Sequence, residues 1–219
     1  MRRLWFPGLA LLAALASPVR AVAAGEPLAG ATFVVDPGHG TRYPSGAPLN
    51  VGAVGPDGVG EATIVLAVSE DLATLLRGAG ARVVMTRSPE APYRTATDKR
   101  KDNRARAALA NKLGATAFIA VHADSSLDRS ARGISVFWLH PNSEALADAV
   151  RDELLQLGLG LSQFHKRDLA VTDEARVPAV LVELGFVSNR QQEKLLEDPA
   201  FQRREARALY QAVVSVYGA

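Results

Sequence analysis

Cysteine is absent from the 219 residues, and histidine occurs four times, at His39, His122, His140 and His165. No disulfide framework, zinc finger, thiolate cluster or cysteine nucleophile can be built, so any metal site has to draw on those imidazoles and on carboxylates. Aromatic residues make up 6% of the chain and charged residues 22%, against 48% hydrophobic residues, 18 Gly and 12 Pro. That balance excludes disordered and collagen-like chains and fits one globular domain able to bury a core without staples. The sequence also lacks a His-Glu-x-x-His helix and a Gly-x-Ser-x-Gly elbow, and Gly38-His39-Gly40 has neither the lysine nor the spacing of a phosphate loop. After Gly25 there is no repeat, no low-complexity tract and no long apolar run.

The one such run lies at the start. Arg2 and Arg3 precede an apolar stretch at 9–16, which leads to the small residues Ala21, Val22, Ala23 and Ala24. This is the order of a secretory signal peptide. Pro7 and Pro18 bracket a run short of the roughly 20 residues that span a bilayer as a helix. Residues 1–24 are therefore expected to be cleaved, leaving 25–219 with no stable membrane anchor. The Arg2-Arg3 pair faintly resembles a twin-arginine signal, and no cysteine follows to carry a lipid. Removing the leader takes three arginines and no acid, so 25 basic and 23 acidic residues become 22 and 23. No nucleic-acid partner is expected: the remaining basic cluster, 94–106, is interleaved with Asp98 and Asp102 and reads as a helix face or a substrate rim. The expected address is a bacterial periplasm or cell wall.

Apolar runs at 32–36, 82–86, 117–122, 133–139 and 179–183 read as buried strands. Between most of them lie helical stripes. Ile64, Val68, Leu72, Leu75 and Leu76 form the first, stopped by Gly78 and Gly80, and Ala107, Leu109, Ala110 and Leu113 the second, closed by Gly114. Ser143 is placed to cap a third that carries Leu146, Val150, Leu154 and Leu157, and two more follow Asn189 and Pro199. Strands apolar throughout and alternating with helices predict an α/β domain with a largely parallel sheet covered on both faces.

In such sheets ligands gather beyond the carboxyl ends of the strands. His39 falls just past one strand, between glycines; His122 ends another; Glu183 ends a third, where an unpaired charge would be expensive. Gly52, Gly55, Gly58 and Gly60 suggest a flexible loop leading to Glu61, an acid that by itself suits a helix N-terminus. Either histidine alone reads as a satisfied polar residue. Two imidazoles and one carboxylate together form the open three-ligand set of a hydrolytic Zn²⁺, with Glu183 left over to handle protons.

The stretches Val35-Asp36-Pro37-Gly38-His39-Gly40, Gly55-x-x-Gly58-x-Gly60-Glu61, Thr86-Arg87, Arg106-x-x-x-Ala110-Asn111, Val121-His122-Ala123-Asp124 and the run from Pro178 to Asn189 occur in this order over 31–217. The set resembles the zinc-dependent N-acetylmuramoyl-L-alanine amidases of the bacterial cell wall, the amidase-3 type. The resemblance implies that His39, Glu61 and His122 bind one zinc ion and that Glu183 is the catalytic carboxylate. It also implies a single-domain, mixed, mostly parallel sheet of about six strands with helices on both faces. Peptidoglycan is the implied substrate, cut between N-acetylmuramic acid and L-alanine. Glu61 is preferred over Asp57 as the ligand, although the loop before it is lengthened by 43–48. The stretch 125–132 runs directly into the next strand, so no inserted helix is expected to plug the site, and control falls to export, substrate access or an unidentified activator protein.

Asp36 and Asp124 are candidates to orient the imidazoles or to cap loops, and Arg87, Arg106 and Arg167 either meet a peptide carboxylate or are ordinary structural and surface arginines. His140 and a loop-borne His165 are expected to stand apart from substrate, and Trp138 in the core. Two rival classes share much of this pattern: another exported zinc peptidase acting within the stem peptide, and a non-catalytic peptidoglycan-binding protein.

Overall fold

The computed structural model describes residues 25–40, 50–88 and 99–218. The expected leader, the lengthening at 43–48 and the start of the basic cluster at 94–98 lie outside the described residues. Six strands form one sheet in the order β2-β1-β3-β6-β4-β5: β1 (Thr32–Pro37), β2 (Arg82–Met85), β3 (Ala117–Asp124), β4 (Ile134–Trp138), β5 (Leu161–Lys166) and β6 (Ala179–Phe186). All neighbouring pairs are parallel except β4 against β6. The α-helices among the described residues are α1 (Glu61–Gly78), α2 (Lys99–Leu113), α3 (Glu144–Leu155), α4 (Ala170–Glu174), α5 (Arg190–Leu196) and α6 (Pro199–Tyr217). No helix among the described residues is long and apolar enough to cross a membrane.

Because side chains alternate along a strand, each buried strand feeds two cores. Phe33 and Val35 of β1, Ile119 and Val121 of β3, and Val180 and Val182 of β6 pack with α1, α3 and α6. Val34, Phe118, Ala120 and Leu181 face the other way, with Ala107 and Ala110 of α2 and Val171 of α4. This second face has the thinner cover. By the same alternation Asp36, His122 and Glu183 belong to it.

The expected strands and long helices are present, and two elements go beyond the five apolar runs. β5, Leu-Ser-Gln-Phe-His-Lys, is an edge strand whose residues are exposed or half-buried, so it lacks the apolar density of its neighbours. His165 consequently sits in a strand rather than a loop. The short α4 is the other. Ser143 occupies the N-cap position of α3, but its hydroxyl makes no cap bond; it accepts the Ala179 N–H at 2.9 Å and so ties the start of β6 to this turn. Asn189 does cap α5, accepting from the N–H groups of Gln191 and Gln192, and Asp198 caps α6 through Ala200.

Candidate metal centre

β1 ends at Pro37, and the chain then turns through His39, which has a left-handed backbone at φ 59°. A non-glycine residue there costs about 1–3 kcal/mol and persists only where its surroundings hold it. Two buried arginines supply that hold. Arg106 of α2 donates to Asp36 (Nη1–Oδ1, 2.8 Å), to the Pro37 carbonyl at 3.1 Å and to the His39 carbonyl at 2.7 Å. Arg87 donates to the carbonyls of Pro37, Gly38 and Ala62 at 2.8–2.9 Å, binding the turn to α1. Burial opposes the charge on Arg106, but Asp36 and Asp102 more than offset it; burial and the Arg106 charge pull the Arg87 guanidinium down to about 10. Both forks close on the fold itself, so of the two readings the sequence allowed for these arginines the structural one holds. Asp36, which also accepts from the Thr86 hydroxyl, touches no imidazole and acts on the His39 turn through Arg106.

The glycine-rich loop before α1 is pinned rather than free. Both Glu193 oxygens accept the Asp57 N–H, at 2.9 and 3.1 Å, and Val54 bridges Gly60. Gly55 is required by this clamp, since a Cβ there would collide with the Glu193 carboxylate and come within 2.7 Å of the Val187 carbonyl. Asp57 itself pairs with Arg190 at 3.1 Å, so it is Glu61 that the loop presents to the histidines. Glu193 had no signal in the sequence; it acts from 136 residues away.

Glu61 lies between the two imidazoles, 2.9 Å from His39 Nε2 and 3.0 Å from His122 Nδ1. Its oxygens also accept the N–H groups of Ala53 and Ala123, each at 3.1 Å. Burial resists ionisation of Glu61, but the hydrogen bonds and charges of His122 and His39 prevail and hold its carboxyl well below the usual carboxylate range. His122 is subject to the reciprocal effect: burial opposes its protonation, and Glu61 with Glu183 raises it. One donor atom from each of His39, Glu61 and His122 lies within 4.8 Å of the others. Neighbouring ligands on a tetrahedral ion with bonds near 2.1 Å stand about 3.4 Å apart, so this two-nitrogen, one-oxygen set can hold such an ion with a position left open.

Glu183 is in register with His122 across β3 and β6 and on the same face. Its Oε2 is buried without a hydrogen-bond partner among the described residues. Burial, with the charges of Glu61 and Asp124, pushes its carboxyl up to about 8 against the pull of His122 and Arg167. A cation in the cradle would draw it down again. The surrounding cavity, about 480 Å³, is also lined by Lys99, Asn103, Asp124, Phe137 and Arg167. Asp124 accepts its neighbour's N–H, from Ser125, and so caps its own loop rather than orienting an imidazole. The segment between β3 and β4 is turn-rich and carries no helix. His140 meets the Asp173 carbonyl at 3.4 Å, His165 projects from the exposed edge, and Trp138 is in the core.

The family described as N-acetylmuramoyl-L-alanine amidase matches residues 33–215. A probable cell wall amidase of Staphylococcus epidermidis, LytH, is 32% identical over 177 residues, which are 79% of this chain and 54% of that protein. The chain thus spans about half the length of that relative. Among solved structures, the N-acetylmuramoyl-L-alanine amidase AmiC2 of Nostoc punctiforme superposes with TM-score 0.73 at 26% identity, covering 85% of this chain and 96% of that one. The catalytic domain of CwlV, an N-acetylmuramoyl-L-alanine amidase from Bacillus (Paenibacillus) polymyxa var. colistinus, gives 0.73 at 28%, covering 85% and 97%. The chain belongs to the N-acetylmuramoyl-L-alanine amidase family of amidase-3 type.

Proposed function

We propose that this family member hydrolyses the amide between N-acetylmuramic acid and the L-alanine of the peptidoglycan stem peptide, with one zinc ion held by His39, Glu61 and His122 and with Glu183 as the catalytic carboxylate. The observation that carries the reading is the convergence of two imidazoles and a carboxylate beside a second carboxylate, in register with one of them, whose buried Oε2 has no hydrogen-bond partner among the described residues. When bound, zinc supplies Lewis acidity, polarising the amide carbonyl and lowering the pKa of the attacking water.

The chain's own groups do the rest. Glu61, fixed by Ala53 and Ala123, stays ionised as a ligand. Glu183 accepts the proton of the attacking water at its Oε2, which has no other partner among the described residues, and delivers it to the departing alanine nitrogen, the work of a positioned general base and acid. Arg106 and Arg87 keep His39 in its left-handed turn, so the cradle is set before substrate arrives. Residues 1–24 act as a cleaved export signal, the folded part works at the cell wall, and control falls to export, substrate access or an activator protein.

The test is mass spectrometry of soluble products after residues 25–219, loaded with Zn²⁺, are incubated with purified peptidoglycan. Free stem peptides beginning at L-alanine, absent with chelator, are expected. Cuts within the peptide would move the assignment to a peptidase, and a metal-free protein that binds sacculi without cutting them would move it to a binding role.

A further inference from the structure

The groups on the thinly covered face follow one another across the sheet. His39 comes from the end of β1, His122 from β3, Glu183 from β6, Phe137 from β4, and Arg167 follows the end of β5. Arg167 is exposed, yet it is built into place. Its N–H donates to the Trp138 carbonyl at 2.8 Å, and its carbonyl accepts from the Thr172 hydroxyl at 2.8 Å and the Leu169 N–H at 3.1 Å. The guanidinium lies over the Phe137 ring, 4.9 Å from the centroid. Among the described residues this guanidinium makes no salt bridge and no hydrogen bond, while Arg104, Arg106, Arg151 and Arg190 all pair with aspartates. It lines the same cavity as the metal cradle, and Lys99 at the start of α2 lines it too. A planar fork whose backbone and ring face are both held retains its donors for an incoming anion.

We infer that Arg167, assisted by Lys99, forms a carboxylate subsite that recognises a free carboxyl group on the residue following L-alanine in the leaving peptide. The inference rests on the amidase reading. Glu183 has to protonate the leaving nitrogen, so the peptide departs over the Glu183 side of the cradle, the side on which Phe137 and Arg167 stand. Strands are about 4.8 Å apart and an extended residue advances about 3.3 Å. A guanidinium stacked above β4, one strand beyond Glu183, is therefore one to two residues from the scissile nitrogen. The carboxyl of the alanine is itself consumed in the next amide, which leaves the following residue as the first that can offer a free one.

The test uses two synthetic muramoyl-peptides, alike except that the residue after L-alanine carries a free carboxylate in one and a carboxamide in the other. The zinc-loaded protein is expected to favour the carboxylate by about tenfold in kcat/KM, the lower part of the range for a charge-assisted hydrogen bond. Arg167→Gln is expected to abolish the preference by raising KM for the carboxylate peptide while kcat holds, and Lys99→Gln to weaken it. Arg204→Gln is the charge control, because Arg204 is likewise stacked, on Phe201 of α6, and α6 packs on the opposite face. It should leave the preference intact. Equal cutting of both peptides by the parent protein, or an equal loss on both in Arg167→Gln, would overturn the subsite. Calorimetric binding of the same peptides to Glu183→Gln protein, with and without Arg167→Gln, keeps the two ideas separate. A carboxylate preference that disappears with Arg167 upholds the subsite even if neither peptide is cut at its amide, an outcome that would count against the amidase reading alone.

Discussion

Gly38 is the residue at which a single added methyl group should separate folding from metal binding. A Cβ at this position would stand 2.6 Å from both Nδ1 and Nε2 of His122, with Cε1 closer still. Unstrained contacts between such atoms begin near 3.5 Å, so Gly38→Ala is about 1 Å short of room. The Gly38 N–H donates to the Val121 carbonyl at 2.9 Å, and its carbonyl is held by Arg87 at 2.8 Å, which leaves the imidazole as the part able to yield. Metal–nitrogen bonds tolerate about 0.2 Å. A ring displaced by several times that distance leaves the ligand set, and zinc affinity should fall at least about 100-fold, beyond the loss usual for an outer-shell change. The assay is competition with a chromophoric chelator, alongside circular dichroism to establish that the variant is folded. Folded Gly38→Ala protein that takes up one zinc with the parent's affinity would refute the argument that this glycine exists to admit His122.

Glu183→Gln should keep full zinc occupancy and lose turnover by about 10²–10⁴, the usual worth of a positioned acid–base group; a near-parental rate would remove Glu183 from the chemistry. Arg106→Met removes the buried positive charge that faces Asp36 and Asp102 and releases the His39 carbonyl, so denaturant unfolding should show a loss of about 3–5 kcal/mol, and a change below 1 kcal/mol would contradict the buried-pair account. Glu205 on α6 is fully buried, neither oxygen has a hydrogen-bond partner among the described residues, and burial raises its carboxyl well above the ordinary value. A raised carboxyl ionises more readily in the unfolded chain, so the contribution of Glu205 to stability is greatest below the unfolded-state pKa and declines as pH rises, by up to about 1.4 kcal/mol per unit. Glu205→Met should remove that slope and be more stable than its parent at pH 7 but not at pH 4; parallel pH profiles in urea melts would refute this.

Much of the architecture is legible in the sequence because strand and helix periodicities are local. Val34, Phe118 and Leu181 sit in apolar runs whose alternation already sorts side chains onto two faces, and the glycines at 78, 80 and 114 stop helices wherever they occur. His39, His122 and Glu183 were readable as strand-end polar residues by the same local logic. Tertiary structure alone decided what those residues meet. The left-handed turn at His39 depends on Arg106, 67 residues away, and the seating of the loop that leads to Glu61 depends on Glu193, whose clamp spans 136 residues. β5 was hidden because an edge strand with exposed residues has no apolar run to betray it. The redirection of Arg87 and Arg106 into the interior, and of Arg167 onto Phe137 beside the cradle, is likewise invisible in composition. Arginine looks the same in a sequence whether its fork closes on backbone carbonyls or stays open in a cavity, and only the packing of the strands and helices around it makes that choice.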